Sequence, residues 1–396
     1  MRKLTFAALL VGSFLAGPVS AQSEADWRMF CTDESALAAF RERVVESDRP
    51  LLDWELKLRC PRIDLPTAAL HETADPSLET SHTDWVYEAS YSADGRTILS
   101  AGKDGSLILW DAETGAFIRR IALPQGPAPG AQSSYAYVRS AIFVGDGSTI
   151  AGTKDGYPVL LFDASTGEGT AAIPFLAPSP DDFPPRVAAT ADDVLLIAGP
   201  GDSVLAVDLD AMAIKYRLPG HGTAATAVAV SESAGLVATT ASGDEAVGLP
   251  PRTLLWQLDT GDKIAEFPGE GDGLAFSADG ARLAIISGGT VRIYSLAAAT
   301  LDATIVVHPL FSVFDIAFTA DGQGLITCQS HPILWDIATG EIVRHFGPFS
   351  DLCHTVDVSP DGRFALTTSM ASDLKIWEIA TGTFYRRLGV DVHPPR

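Results

Sequence analysis

Basic residues are scarce in this chain. Only 28 lysines and arginines stand against 50 aspartates and glutamates, a formal net charge of −22, and no stretch interleaves Lys or Arg with aromatics. A surface of that sign repels nucleic acid and anionic lipid, both of which are held by basic patches. Solvated acidic faces that keep a protein soluble account for the charge. Beyond residue 21 no segment is apolar enough for the roughly 20-residue span a bilayer requires. Catalytic signatures are missing as well. Gly-x-Ser-x-Gly, a Gly-rich phosphate loop ending in Lys-Ser/Thr, Cys-x-x-Cys-His and His-Glu-x-x-His do not occur. The carboxylates fall into no recognisable pair with a base. The expectation is a non-catalytic chain with no cofactor and no nucleic-acid partner.

The ends carry targeting information. Arg2-Lys3 is a basic start, Leu4 to Gly17 an apolar core, and Val19-Ser20-Ala21 a small-residue cleavage site before Gln22. Residues 1–21 thus read as a secretory signal peptide. No cysteine stands directly after the cleavage point and no twin arginine precedes it, so neither a lipid anchor nor folded export is expected. The expected product is soluble, with no membrane anchor, in a bacterial periplasm or outside the cell. Only four cysteines are present, Cys31, Cys60, Cys328 and Cys353. An even count in an oxidising compartment favours disulfides. Position favours Cys31 with Cys60 and Cys328 with Cys353.

Residues 22–81 form an N-terminal extension and linker. Leu37, Phe40 and Val44 predict an amphipathic helix over Ser35 to Val45, capped by Asp33. Residues 51–60 fit a half-buried strand or a second helix, and Pro61 ends either. So short a segment builds no core of its own and needs a disulfide and a docking surface. It is a cap over the neighbouring domain or part of a partner interface.

What is abundant is repetition. Residues 82–389 contain seven copies of one unit with a period of about 40–45 residues. The first copy has apolar strands ending at Ser92, Gly102 and Asp111, an Asp94-Gly95 hairpin turn, a Trp110-Asp111 pair and a closing Thr114-Gly115. Asp-Gly recurs at Asp146-Gly147, Asp279-Gly280, Asp321-Gly322 and Asp361-Gly362. Asp-Gly between apolar runs is a strong hairpin signal, because glycine takes positive φ without a Cβ clash. The aromatic-acidic pair returns as Phe162-Asp163, Trp335-Asp336 and Trp377-Glu378, and weakly as Val207-Asp208, Trp256-Gln257 and Tyr294-Ser295. Copies 3 and 4 are degraded at the hairpin, with Asp192-Asp193 and Ala234-Gly235 there. Four short strands per unit predict an all-β fold, a seven-bladed β-propeller with the partly helical extension before it and a tail at 390–396. Residues 384–388 supply the outer strand of blade 7, so the C-terminus completes its own blade.

The repeat resembles the WD-repeat propeller family over residues 82–389, with the motif sharpest in blades 1, 6 and 7. The resemblance implies a structural tetrad of His, Ser or Thr, Asp and Trp. Blade 1 alone matches it in full, at His82, Ser100, Asp104 and Trp110. His82 as a metal ligand or base is the alternative.

Repeat order puts Cys328 at the end of blade 6's second strand and Cys353 at the start of blade 7's first, on one face of the disc. His331 and His354 map there too, and His308 enters from the loop before blade 6. Cys328, His331, Cys353 and His354 make a candidate zinc or copper set, weaker than the disulfide for want of tight ligand spacing. The long connections at 124–135 and 174–185, and the insertion at 242–252, open on the same face. Long loops on a rigid scaffold are where binding resides, although insertions there are also cheap to tolerate. The resemblance implies a protein–protein interaction platform that binds a protein or peptide on this loop face. The alternative is a ligand- or metal-binding propeller serving a periplasmic redox system.

Overall fold

The computed structural model describes residues 80–388 apart from 125–136, 155–156, 174–185, 200–202, 244–247, 269–270, 272, 309–311, 348–351 and 371. The expected signal peptide, the helix over 35–45, the Cys31–Cys60 pair and the tail lie outside the described residues, as do the loops at 125–135 and 174–185.

Among the described residues twenty-eight strands form seven four-stranded antiparallel sheets, each built from four consecutive strands. Blade 1 consists of β1 (Val86–Tyr91), β2 (Thr97–Gly102), β3 (Ser106–Asp111) and β4 (Phe117–Ala122). Its middle strands are buried nearly throughout, because the neighbouring blades cover both faces. That is why TILSAG and SLILWD are almost continuously apolar or small instead of alternating. The outer strand is exposed along much of its length and carries Arg119 and Arg120. Charge on an outer edge discourages pairing with another chain.

Turn chemistry repeats with the sequence. Ser92 Oγ donates to Asp94 Oδ1 at 2.7 Å and the Arg96 amide donates to the same oxygen at 3.0 Å. Ser277 and Asp279, Thr319 and Asp321, and Ser359 and Asp361 make the same side-chain bond at 2.6 Å. Each carboxylate thus rebuilds a turn in hydrogen bonds of its own. The degraded blade 3 keeps the backbone of the turn without the glycine: Asp193 holds φ 55° where Gly95 holds 70°. In every blade the ladder between the third and fourth strands slips by one residue beside the aromatic anchor or its stand-in, for example between Leu109 and Trp110 and between Ala206 and Val207. The bulge bends the outer strand over the ring of the anchor.

Among the described residues the ring closes without exchanging a strand. Blade 7 is made of its own four strands, 353–387, and packs on blade 1 through Leu366, Leu374, Ile376 and Leu388 against Val86, Ile98, Ile108 and Trp110. Each of the other seams has an apolar cluster of the same kind. Polar bonds cross the seams near the axis. Asp315 of blade 6 accepts from the Val356 amide at 3.0 Å, and Asp357 of blade 7 from Tyr91 at 2.8 Å. Glu88 of blade 1 accepts from Ala141 at 3.0 Å. The closing seam between blades 7 and 1 is therefore built like its neighbours.

Candidate functional site at the channel mouth

The inner strand of each blade lines the axis, and its first residues lie on the face where the chain arrives from the previous blade. In blades 1, 2 and 7 that strand begins with a bulge. The register of β1 slips between Val86 and Glu88, that of β5 (Val138–Val144) between Val138 and Ser140, and that of β25 (Cys353–Val358) between Cys353 and Val356. The residues inside these irregularities are Tyr87, Arg139, and His354 with Thr355. A bulge re-aims a side chain that a regular pleat would send sideways. Together with Arg186, at the start of β9 (Arg186–Ala189), and with Ser312, Val313 and Phe314 just before β21 (Asp315–Phe318), Tyr87, Arg139 and His354 line a cavity of about 360 Å³ at the mouth of the channel.

Aromatic contacts tie this mouth together. The Tyr87 ring meets His354 edge-on at 5.3 Å and Tyr137 at 5.8 Å, and Phe314 stacks on His354 at 5.9 Å. Lys103 lies 4.5 Å over the Trp85 ring, and Arg139 5.8 Å over that of Tyr87. Trp85 and Phe314 remain 39% and 38% exposed. His354 shares Nδ1 with the Tyr87 carbonyl at 2.9 Å. Burial, then the charges of Arg186 and Arg139, push its pKa down to about 4. The neutral ring therefore donates from Nδ1 and keeps Nε2 as an acceptor. Deeper in the channel, burial pushes the Asp315 carboxyl up to about 7 and Asp357 up to about 6. Burial raises Glu88 too, against the opposing charge of Arg186. Arg186 belongs to blade 3 and Asp315 to blade 6, so this coupling runs across the axis.

The tetrad residues of blade 1 come together. Trp110 Nε1 donates to Ser100 Oγ at 2.9 Å, Ser100 Oγ lies 2.8 Å from His82 Nε2, and His82 Nδ1 lies 3.1 Å from both Asp104 oxygens. Burial works to raise the Asp104 pKa, but bonds and charge from His82, with bonds from Ser106 and Thr83, bring it well below the carboxylate range. Ser, His and Asp in series share the connectivity of a hydrolase triad. Yet Ser100 has 0% exposure and His82 3%, and Trp110 Nε1 already bonds the hydroxyl, so no substrate reaches it. Blades 4, 6 and 7 keep a Trp-to-Thr bond at Trp256–Thr239, Trp335–Thr327 and Trp377–Thr367. Sequence reading missed His221, which bonds Thr239 at 2.7 Å. The 18-residue spacing it shares with His82 and Ser100 is the signal that would have found it.

The candidate metal set is not brought together. Cys328 and Cys353 stand at disulfide distance, Cα to Cα 5.1 Å. His331 turns outward, its Nε2 2.7 Å from Nδ1 of His345, while His354 points into the mouth. Burial, then the His345 charge, lowers the His331 pKa. His308 pairs its backbone amide with the Gly289 carbonyl. Among the described residues no three His, Cys, Asp or Glu side chains converge as metal ligands. Tyr87, Arg139 and Arg186 were not singled out from the sequence; only the chain's arrival at the mouth after its two long connections, at Tyr137 and Arg186, hinted at them.

The family model for the WD domain, G-beta repeat, matches residues 76–111. A curated relative, WD repeat-containing protein SL1-17 of Schistosoma mansoni, is 27% identical over 173 residues, 42% of this chain. The matched stretch spans about half, 54%, of that relative's length.

Proposed function

We propose that this chain, a WD-repeat β-propeller of seven blades, is a non-catalytic platform that holds a protein or peptide partner on the face around the channel mouth, and that it works outside the cytoplasm, in a bacterial periplasm. The observation that carries the proposal is the composition of that mouth. Exposed Trp85 and Phe314 stand beside Tyr87, Tyr137, Arg139 and Arg186. Tryptophan, tyrosine and arginine dominate the energetics of protein interfaces. Tyr87, Arg139 and Arg186 stand on strands, and Trp85, Tyr137 and Phe314 directly precede strands, so little ordering cost falls on binding. Propellers with WD repeats commonly serve as protein-interaction scaffolds. The sealed Ser100 supports a role without hydrolase chemistry at that triad. The basic-apolar-small start at residues 1–21 and the paired Cys328 and Cys353 support an oxidising compartment.

The test is in-cell crosslinking of the full chain, read by mass spectrometry, beside a variant lacking residues 126–133. A partner lost from the variant supports the platform and its face. Capture of no partner from the intact chain removes the proposal. Recovery of the chain in the cytoplasmic fraction alone, with alkylatable thiols at Cys328 and Cys353, removes the export.

A further inference from the structure

We propose that the channel mouth is a carboxylate-binding site, in which Arg139 and Arg186 take an acidic side chain or the C-terminal carboxylate of an extended peptide presented by the partner. The inference rests on the platform function above and names the chemistry that the platform recognises.

The chain carries a net charge of −22, yet two guanidinium groups from different blades meet in one cavity. A cleft of one sign focuses field and gathers ligands of the other, all the more when the rest of the surface is opposite in sign. The guanidinium fork matches a carboxylate in geometry, two parallel N–H donors to two oxygens. Tyr87 and Ser312 line the same cavity, while His354, its proton held on Nδ1 by the Tyr87 carbonyl, is a neutral wall that offers a carboxylate no donor. Asp315 beneath does not cancel the two arginines in full, because burial pushes its carboxyl up to about 7, and burial raises Glu88 as well. About 360 Å³ is at the small end for a ligand pocket and suits one side chain or a chain terminus. The half-exposed rings of Trp85 and Phe314 give the flanking residues of a peptide apolar ground. The inner-strand bulges point Tyr87, Arg139 and His354 into this space.

The test uses fluorescence anisotropy of the purified full chain with labelled peptides of alternating glutamate and glycine, and with their glutamine counterparts. The glutamate peptide is expected to bind at least about tenfold more tightly than the glutamine one, and to weaken as salt rises. Arg139→Gln and Arg186→Gln are each expected to lose about tenfold or more, with Arg139→Lys keeping part of the affinity because charge remains and the fork does not. Arg186 sits among channel carboxyls, so thermal melting accompanies both variants, and Arg139→Gln decides if Arg186→Gln fails to fold. Equal binding of the two peptides, or unchanged binding by folded Arg139→Gln, overturns the proposal. Competition by free succinate as strong as by the peptide itself also overturns it, in favour of a small carboxylate ligand. Crosslinking keeps the two readings apart. A partner captured equally by wild type and Arg139→Gln sinks the carboxylate site and leaves the platform. Glutamate-peptide binding without any captured partner does the reverse.

Discussion

Asp193, Met212 and Ala299 hold φ of 55°, 46° and 51°, in the left-handed region that glycine fills at the matching turns of other blades. A residue with a Cβ pays about 1–2 kcal/mol there, offset by the smaller chain entropy it loses on folding relative to glycine. Ala299→Gly is therefore expected to stabilise the protein by about 0.5–1 kcal/mol, read as a higher urea midpoint at unchanged slope. An unchanged or lower midpoint would show that the turn carries no strain. These positions also explain where sequence reading weakened. Asp94-Gly95 and Thr114-Gly115 are legible because glycine is the local signature of the turn. Asp192-Asp193 and Met212 make the same turn without the signature, so blade 3 looked degraded although its backbone is intact. The His82 network is the opposite case, with every partner present in one blade. His82→Ala leaves Ser100 and Asp104 buried without it. The expected cost is about 2–3 kcal/mol, measured by chemical denaturation. A loss under about 0.5 kcal/mol, within the usual scatter of surface substitutions, would remove the structural role given to the tetrad.

Between elements, the seams decide whether seven sheets make one body. Most of each seam is apolar packing between middle strands, legible from the run of buried residues in each repeat. The seam of blades 6 and 7 adds Cys328 and Cys353, separated by 25 residues. Closing a loop of that length removes about 3.5 kcal/mol of unfolded-state entropy in the chain-entropy account. The double variant Cys328→Ala/Cys353→Ala is expected to lose about 2–4 kcal/mol, and the wild type to melt lower when reductant is added. A wild type indifferent to reductant would show the two sulfurs unlinked. The mouth was less legible than the seams for a reason of scale. Tyr87 and His354 touch across 267 residues of sequence, and the bulges that aim them leave no periodic mark. Repeat order places two cysteines and three histidines on this face, but proximity in repeat order is not convergence. His331 and His345 face each other, and His354 faces the axis.

For the molecule as a whole, the sign of the pH dependence follows from where its carboxylates sit. Those of the hairpin turns, Asp94, Asp279, Asp321 and Asp361 among them, are held below the usual range chiefly by the Ser, Thr and backbone donors that cap them. A depressed folded pKa contributes stability that is present above the unfolded value near 4 and is lost as pH falls through the folded one. Asp357 and Asp315 at the axis behave the other way, with folded values of about 6 and about 7. Between the unfolded value and those, the unfolded chain has released protons that the folded one retains, so stability falls as pH rises from about 4 to about 7 and levels off beyond. Self-repulsion of a chain with net charge −22 acts in the same direction. The protein is thus expected to be most stable on the acid side of neutrality, at about pH 4–5. Asp315→Asn separates the axial contribution from the surface one. The amide oxygen still accepts from the Val356 amide, so the seam bond survives, while the buried charge is gone. The variant is expected to gain about 1–2 kcal/mol at pH 8, a figure reduced from the full shift because Asp315 is only partly buried, and to gain nothing at pH 4. Denaturant midpoints across pH 4 to 8 measure this directly. A constant difference between wild type and variant over that range would mean that Asp315 does not titrate there, and that the slope belongs to the acidic surface alone.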